Sequence, residues 1–367
     1  MSNKTSNTLF DATLFDTTLK EARRQAEICN ACRYCEGYCQ VFPSMFEKRV
    51  FGDGDLTQLA NLCHNCRGCY YACQYIPPHE FALNLPKALA ETRHESWKKF
   101  ALPHRFAHAF ERSGLLMGIL MVLCLMLFFW VATFFRPANG AGFYAILSHS
   151  MMIAIFIPAF LLPFFSIFYS LTRYWHYVGG GAFHIRGLWL ACWQAATMNN
   201  LSGGHGHGCN FEDGDRYSNA RRYYHQASLY GFLLCFISTI SGTILHYGFG
   251  LEAPYAVFSV PKLTGISGGV LLCIGCLGLA WLKSKADREQ AVSRIWGGEM
   301  AFVMLLFLTS ASGLALYAAT QTIHVEWLLP LHLACVLTFF LTTPYSKMVH
   351  GFYRMTALII DAQKNDG

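Results

Sequence analysis

The sequence predicts a mainly α protein, a six-helix transmembrane bundle preceded by a small, soluble, cysteine-rich domain. Three observations carry this. The first 112 of 367 residues hold 14 Lys+Arg and 12 Asp+Glu, whereas all the rest hold only 14 and 10. That second stretch contains six apolar runs that approach or exceed the ~20 residues a helix needs to cross a bilayer. Eight of the 15 cysteines crowd into the charged segment, in two copies of one spacing.

The cysteine domain is expected over residues 1–112. Cys29, Cys32, Cys35 and Cys39 read C-x2-C-x2-C-x3-C, and Cys63, Cys66, Cys69 and Cys73 repeat the pattern at a constant offset of 34 residues. The offset also carries Arg33 onto Arg67, Gln40 onto Gln74 and Pro43 onto Pro77, so the segment is an internal duplication of one site. This is the ferredoxin-type run, in which three closely spaced thiolates and a fourth from the other half hold each cubane. Carried over, Cys29, Cys32, Cys35 and Cys73 hold one [4Fe-4S] cluster, and Cys63, Cys66, Cys69 and Cys39 hold the second. The pattern departs from the usual run at its end, where proline comes four residues after the last cysteine rather than next to it. A disulfide framework would need an oxidising compartment, and residues 1–28 contain no apolar signal-peptide core. Zinc suits thiolates too, but its sites pair C-x2-C units at a distance and need no third ligand per loop.

The membrane domain, 113–367, follows in order, with spans expected near 115–135, 143–171, 229–250, 264–282, 300–320 and 327–348. Within them Lys347 is the only Asp, Glu, Lys or Arg. Helices of a soluble core would not be so bare of charge. A glycine-rich loop, 172–228, separates the second and third spans. On the cysteine-domain side the loops and tail carry Arg173, Arg186, Arg216, Arg221, Arg222, Lys283, Lys285, Arg288, Arg294, Arg354 and Lys364; the opposite loops carry only Arg136 and Lys262. The positive-inside rule then places the cysteine domain in the cytoplasm, and the expected location is a bacterial inner membrane.

Histidines inside the membrane mark function, because ionisable groups are costly there. His225 and His246 bracket the third span, and His332 and His350 the sixth. At ~1.5 Å rise per residue the first two are about 31 Å apart and the second two about 27 Å, so their heights match in pairs. His225 with His350, and His246 with His332, would make one or two b-type haem sites stacked across the bilayer. His149 lies at the depth of His246 and His332 and is an alternative ligand there; His176 competes with His225. Arg221 and Arg222 could meet haem propionates through their forked donors, or serve only as topological anchors. The repeated small-residue stretches Phe236–Gly242 and Phe307–Gly313 suit close helix or macrocycle packing. Cys124, Cys235, Cys273, Cys276 and Cys335 read as small packing residues. In the loop, 188–201 reads as an interfacial helix carrying Trp189 and Trp193. His205, His207 and Cys209 could bind a metal or a quinone headgroup, or belong to a plain glycine-rich turn. No Rossmann or Walker fingerprint precedes a helix, so the chain needs electrons from another protein. No nucleic-acid partner is expected.

The tandem cysteine run, the six spans with paired histidines, and the stretch from Gly203-Gly204-x-Gly206-x-Gly208-Cys209 to Arg221-Arg222-x-x-His225 together resemble the TcuB family, also called CitB, the tricarballylate-utilisation proteins B. The resemblance covers essentially the whole chain. It implies an electron-transfer subunit, not a self-sufficient enzyme, that reoxidises the FAD of a partner dehydrogenase of the TcuA kind and passes electrons to membrane quinone. It also implies that the partner's substrate is tricarballylate, which nothing in the residues themselves indicates. The rival readings are a redox-sensing iron-sulfur membrane protein and a membrane reductase with its own small-molecule substrate.

Overall fold

A computed structural model of the chain describes residues 3–135, 142–203, 206–210, 216–251, 253, 255–287, 292–320 and 322–364. Arg136, His205 and Arg288, weighed above, lie outside these described residues. Among them are thirteen α-helices and no strand beyond an isolated bridge between Cys209 and Ser218.

Helices α1 (Asn3–Cys32), α2 (Val41–Phe46), α3 (Asp53–Leu62), α4 (Gly68–Tyr71) and α5 (Leu85–Phe100) build the cysteine domain. Helix α5 begins where Asn84 Oδ1 accepts the Lys87 N–H at 3.2 Å and Pro86 presets the first turn. Leu19, Met45, Leu56, Leu59 and Leu89 from four of these helices are fully buried together.

Among the described residues six helices are long and apolar enough to cross a membrane. They are α6 (His104–Ala132), α7 (His149–Tyr177), α9 (Ala220–Phe249), α10 (Val260–Lys285), α11 (Ser293–Ala318) and α12 (Val325–Thr342). The backbone of α6 breaks at Ser113 (φ −140°, ψ 26°), where the polar approach gives way to apolar sequence. Helix α9 starts nine residues before the expected span and α10 runs three beyond it, because their polar ends stay helical after leaving the apolar zone. The α9–α10 seam is close-packed: a Cβ on Gly231 would stand 2.5 Å from the Leu272 nitrogen, and one on Gly275 2.4 Å from Ser228 Oγ. Glycine lets the two backbones touch.

The sixth span differs from expectation. It ends at Thr342 rather than near 348, because Pro344 has no N–H to continue the helical ladder and its ring crowds the turn before it. The chain then turns and starts α13 (Val349–Lys364), so His350 belongs to a separate helix. Helix α13 packs beside α8 (Ile185–Thr197), which keeps Trp189 (72%) and Trp193 (64%) exposed as an interfacial helix would. Tyr353, Leu358 and Ile360 of α13 are buried in the cysteine domain's core, each contributing about 1.5–3 kcal/mol by leaving water. Polar contacts fix the register: Gln58 Nε2 donates to the Ala357 carbonyl at 2.8 Å, and Asp361 accepts from Gln40 Nε2 at 2.5 Å and from Ser44 Oγ.

Candidate functional site

The duplication seen in the cysteines recurs in the backbone. Arg33 (φ 55°) and Arg67 (φ 62°), equivalent under the 34-residue offset, both take the left-handed conformation. Their carbonyls accept the equivalent N–H groups of Glu36 (3.2 Å) and Tyr70 (3.0 Å). The thiols sort into two groups that exchange one member between the copies. Cys29, Cys32, Cys35 and Cys73 line one cavity, with Tyr34 and Tyr75, and Cys69 stands at the junction of the two groups, on the same wall. Burial, then the charges of Cys73, Cys35 and Cys32, push the Cys29 thiol up to about 12. Cys39 and Cys69 are raised by burial and then by each other's group, Cys66 and Cys63 acting on both. The backbone N–H groups of Asn65 and Tyr75 point at the sulfurs of Cys63 and Cys73, each at 3.4 Å. Among the described residues no three His, Cys, Asp or Glu side chains close around a single metal ion.

The two groups differ in surroundings. The first reaches the surface, where Cys32 and Tyr34 (68%) are exposed. The second is ringed by cations. Arg93 Nη1 donates to the Cys63 carbonyl (2.5 Å), Arg354 Nη1 to Leu62 (2.9 Å) and Arg221 Nη1 to Asn65 (2.9 Å), while Arg67 is buried (3%). Cys209 also belongs here. Its buried thiol is hydrogen-bonded to Cys66, and that bond, ahead of burial, pushes Cys66 up to about 11. The Asn210 N–H holds the Cys66 carbonyl at 2.8 Å. Glycine builds the loop: Gly208 sits at φ 103°, and a Cβ there would meet the Ser218 carbonyl at 2.1 Å. The sequence marks Cys66 as a cluster ligand and Cys209, with His205 and His207, as a loop candidate, but it does not show that Cys209 and Cys66 meet. The glycines at 203, 206 and 208, all at positive φ, were the sequence signal for so tight a fold-back.

His225 and His350 come together, ring centres 5.9 Å apart. Their helices share one layout: Arg221 precedes His225 by four residues on α9, and Arg354 follows His350 by four on α13. Each helix thus sends an arginine to the second cysteine group and a histidine to the pair, about one turn apart. His350 Nδ1 bonds the Lys347 carbonyl at 2.5 Å, and His225 Nδ1 is buried without a partner. Burial, then the charges of Lys347 and His225, holds His350 well below the usual histidine range, so it is neutral. Arg222 Nη2 donates to the Thr197 carbonyl at 3.0 Å. Toward the other end of the bundle, His246 meets His149 at 4.8 Å, and His149 Nε2 bonds Tyr247 OH at 2.8 Å. His332 shares a hydrogen bond with Ser312 at 3.1 Å, on a surface kept bare by Gly313, where a Cβ would lie 2.9 Å from the ring.

Fold and site define a multi-pass membrane protein with a ferredoxin-like iron-sulfur domain at its N-terminal end. Residues 22–99 match the family model described as Citrate utilization protein B Fer4-like domain, and residues 105–366 that of Citrate utilization protein B. The chain is also 39% identical to the Citrate utilization protein B of Escherichia coli over 356 residues, 96% of this chain and 94% of that one. It belongs to the citrate utilization protein B family. No solved structure matches it.

Proposed function

We propose that this chain is the membrane electron-transfer subunit of a dehydrogenase system, taking electrons from the reduced FAD of a partner and delivering them to membrane quinone. The spacing shared by α9 and α13 carries the reading, because one turn of each helix links the second cysteine group to a histidine pair. Cys29, Cys32, Cys35 and Cys73 would hold one [4Fe-4S] cluster, Cys63, Cys66, Cys69 and Cys39 the other, and His225 and His350 a b-type haem. When bound, these groups supply one-electron relay chemistry.

The residues fit those groups. His225 and His350, buried with ring centres 5.9 Å apart, would hold the haem iron between them. The Lys347 carbonyl fixes the His350 tautomer and leaves Nε2 for a metal. Arg93, Arg221 and Arg354 favour the more reduced, more negative state of the second group, whereas the exposed Cys32 face is accessible to a soluble partner. Arg221 and Arg222 spend donors on backbone carbonyls, which supports anchoring and second-group roles over propionate contacts. His149 and His246 stand 4.8 Å apart, His149 is held by Tyr247, and His332 by Ser312, so the proposal places its haem only at the His225–His350 pair. The asymmetry of basic residues supports placing the cysteine domain in the cytoplasm of a bacterium. The relative's name points to citrate and the family resemblance to tricarballylate, so the partner oxidises a tricarboxylate. Membranes containing this chain and the flavoprotein should show haem reduction on adding that substrate and reoxidation on adding quinone. A haem that stays oxidised while the flavin is reduced would refute the reading.

A further inference from the structure

Between α5, the start of α11 and the turn after α12 lies a cavity lined by His94, Trp97, Phe110, Gly298, Tyr345 and Lys347. It stands at the edge of the apolar zone, since Phe110 precedes the Ser113 break in α6 and Gly298 lies in the first turns of α11. Trp97, Phe110 and Tyr345, beside His94, bring aromatic rings to a wall that is otherwise aliphatic or small, with Lys98, Glu299 and Lys347 as its charged members. Lys347 Nζ lies 5.2 Å from the centre of a Trp97 ring and pairs with Glu299, which also binds Lys283. Glu299 offsets the ammonium charges, and Lys347 keeps N–H groups for a further acceptor. The backbone carbonyl of Lys347 is the one that receives the His350 Nδ1 proton, so the cavity and the histidine pair share a turn. Tyr345 packs on Phe106 at 5.2 Å, and Phe106 is 42% exposed on the polar approach of α6, just before the apolar span that begins at Ser113.

We propose that this cavity receives the ring of a quinone, with the aromatic side chains against its faces, Lys347 donating to a carbonyl oxygen, and the tail leaving past Phe106 toward the adjoining apolar span of α6. The proposal rests on the reading above that quinone is the acceptor, and it adds the site. Reduction of one quinone to quinol takes two electrons, which the partner's reduced flavin supplies one at a time through the relay. The two protons come from water on the cysteine-domain side. No other reactant is needed.

Gly298 provides the test, because a Cβ there meets nothing within 4 Å and a large side chain would grow into empty space. Gly297 is equally open but does not line the cavity, so it serves as control. Purified holoprotein would be mixed with decylubiquinone, scoring bound quinone by ultrafiltration and, after dithionite reduction, the rate of reoxidation in the visible spectrum. Gly298→Phe should weaken binding and slow reoxidation at least tenfold with an unchanged resting spectrum, and Gly297→Phe should behave as the parent. Ala107→Leu, on the same wall, should act like Gly298→Phe and covers the case where that variant fails to fold. If the parent binds and is reoxidised by quinone and both cavity variants match it, the site is wrong. If the parent neither binds quinone nor is reoxidised by it, the acceptor reading fails, and the site with it.

Discussion

A thiol pressed against a metal-ligating sulfur changes what that ligand can do, and Cys209 stands in that position beside Cys66. With iron on Cys66 its proton would be gone, and the Cys209 S–H, which here reaches the Leu201 carbonyl at 3.4 Å, would turn to the Cys66 sulfur. Such a bond to a cluster sulfur raises the reduction potential. Cys209→Ala should therefore lower the potential of the second cluster and leave the first unmoved, measured by redox titration followed by EPR. Cys32→Ser should damage the first centre and Cys66→Ser the second, read as iron and acid-labile sulfide per chain. Stoichiometric zinc without sulfide would contradict the cluster assignment. The pH dependence of the metal-free chain follows from the same thiols. Cys29 and Cys35 are raised to about 12 in the fold, chiefly by burial and then by neighbouring thiolates, against ~8.5 in an unfolded chain. The fold thus keeps protons that the unfolded chain releases, so its stability is full below about pH 8.5 and falls as pH rises toward about 12. Denaturant midpoints of the apoprotein should decline over that window. Those of the cluster-loaded chain, whose thiolates are already deprotonated, should not.

Helices α9 and α13 do the joining, and α13 was the harder to read. The sixth apolar run seemed to continue through Tyr345 to Met348, and the proline that ends it was present in the sequence but outweighed by hydropathy. The remainder looked like a tail because its apolar residues face the cysteine domain, a surface that exists only after folding. Arg354 and Arg93 are for the same reason invisible in the sequence as partners of the second cysteine group, whereas His225 and His350 do meet, although His350 stands on α13 and not on the continuous sixth span that the height match assumes. Arg354→Gln and Arg221→Gln should each lower the second cluster's potential without shifting the first, because each removes a cation from that side only. Equal shifts at both clusters would mean that the arginines act through the fold and not the local field. At the α9–α10 seam, Gly275→Leu forces backbones apart where a Cβ already lies 2.4 Å from Ser228 Oγ. It should cost at least the roughly 1–3 kcal/mol typical of overpacking, seen as a lower Tm in detergent.

Across the whole molecule, the apolar runs fixed the six spans and the repeated spacing identified the cysteine domain, because both are local patterns. How the two parts dock was not local. It depends on α13 and the glycine-rich loop folding back onto the cysteine domain, one bringing Arg354 and His350 and the other Cys209. The same docking leaves His246 with His149 rather than His332, since matched depth does not determine which helices are neighbours. The account places every redox group at one end of the bundle, with the exposed Cys32 face outermost and the His225–His350 pair beyond the second cysteine group. The most direct measurement is the reduced-minus-oxidised optical spectrum and EPR of His225→Ala and His350→Ala. Both variants should lose the same low-spin b-type haem while keeping both [4Fe-4S] signals, and their clusters, once reduced, should no longer be reoxidised by quinone. A low-spin haem that survives both substitutions would contradict the account.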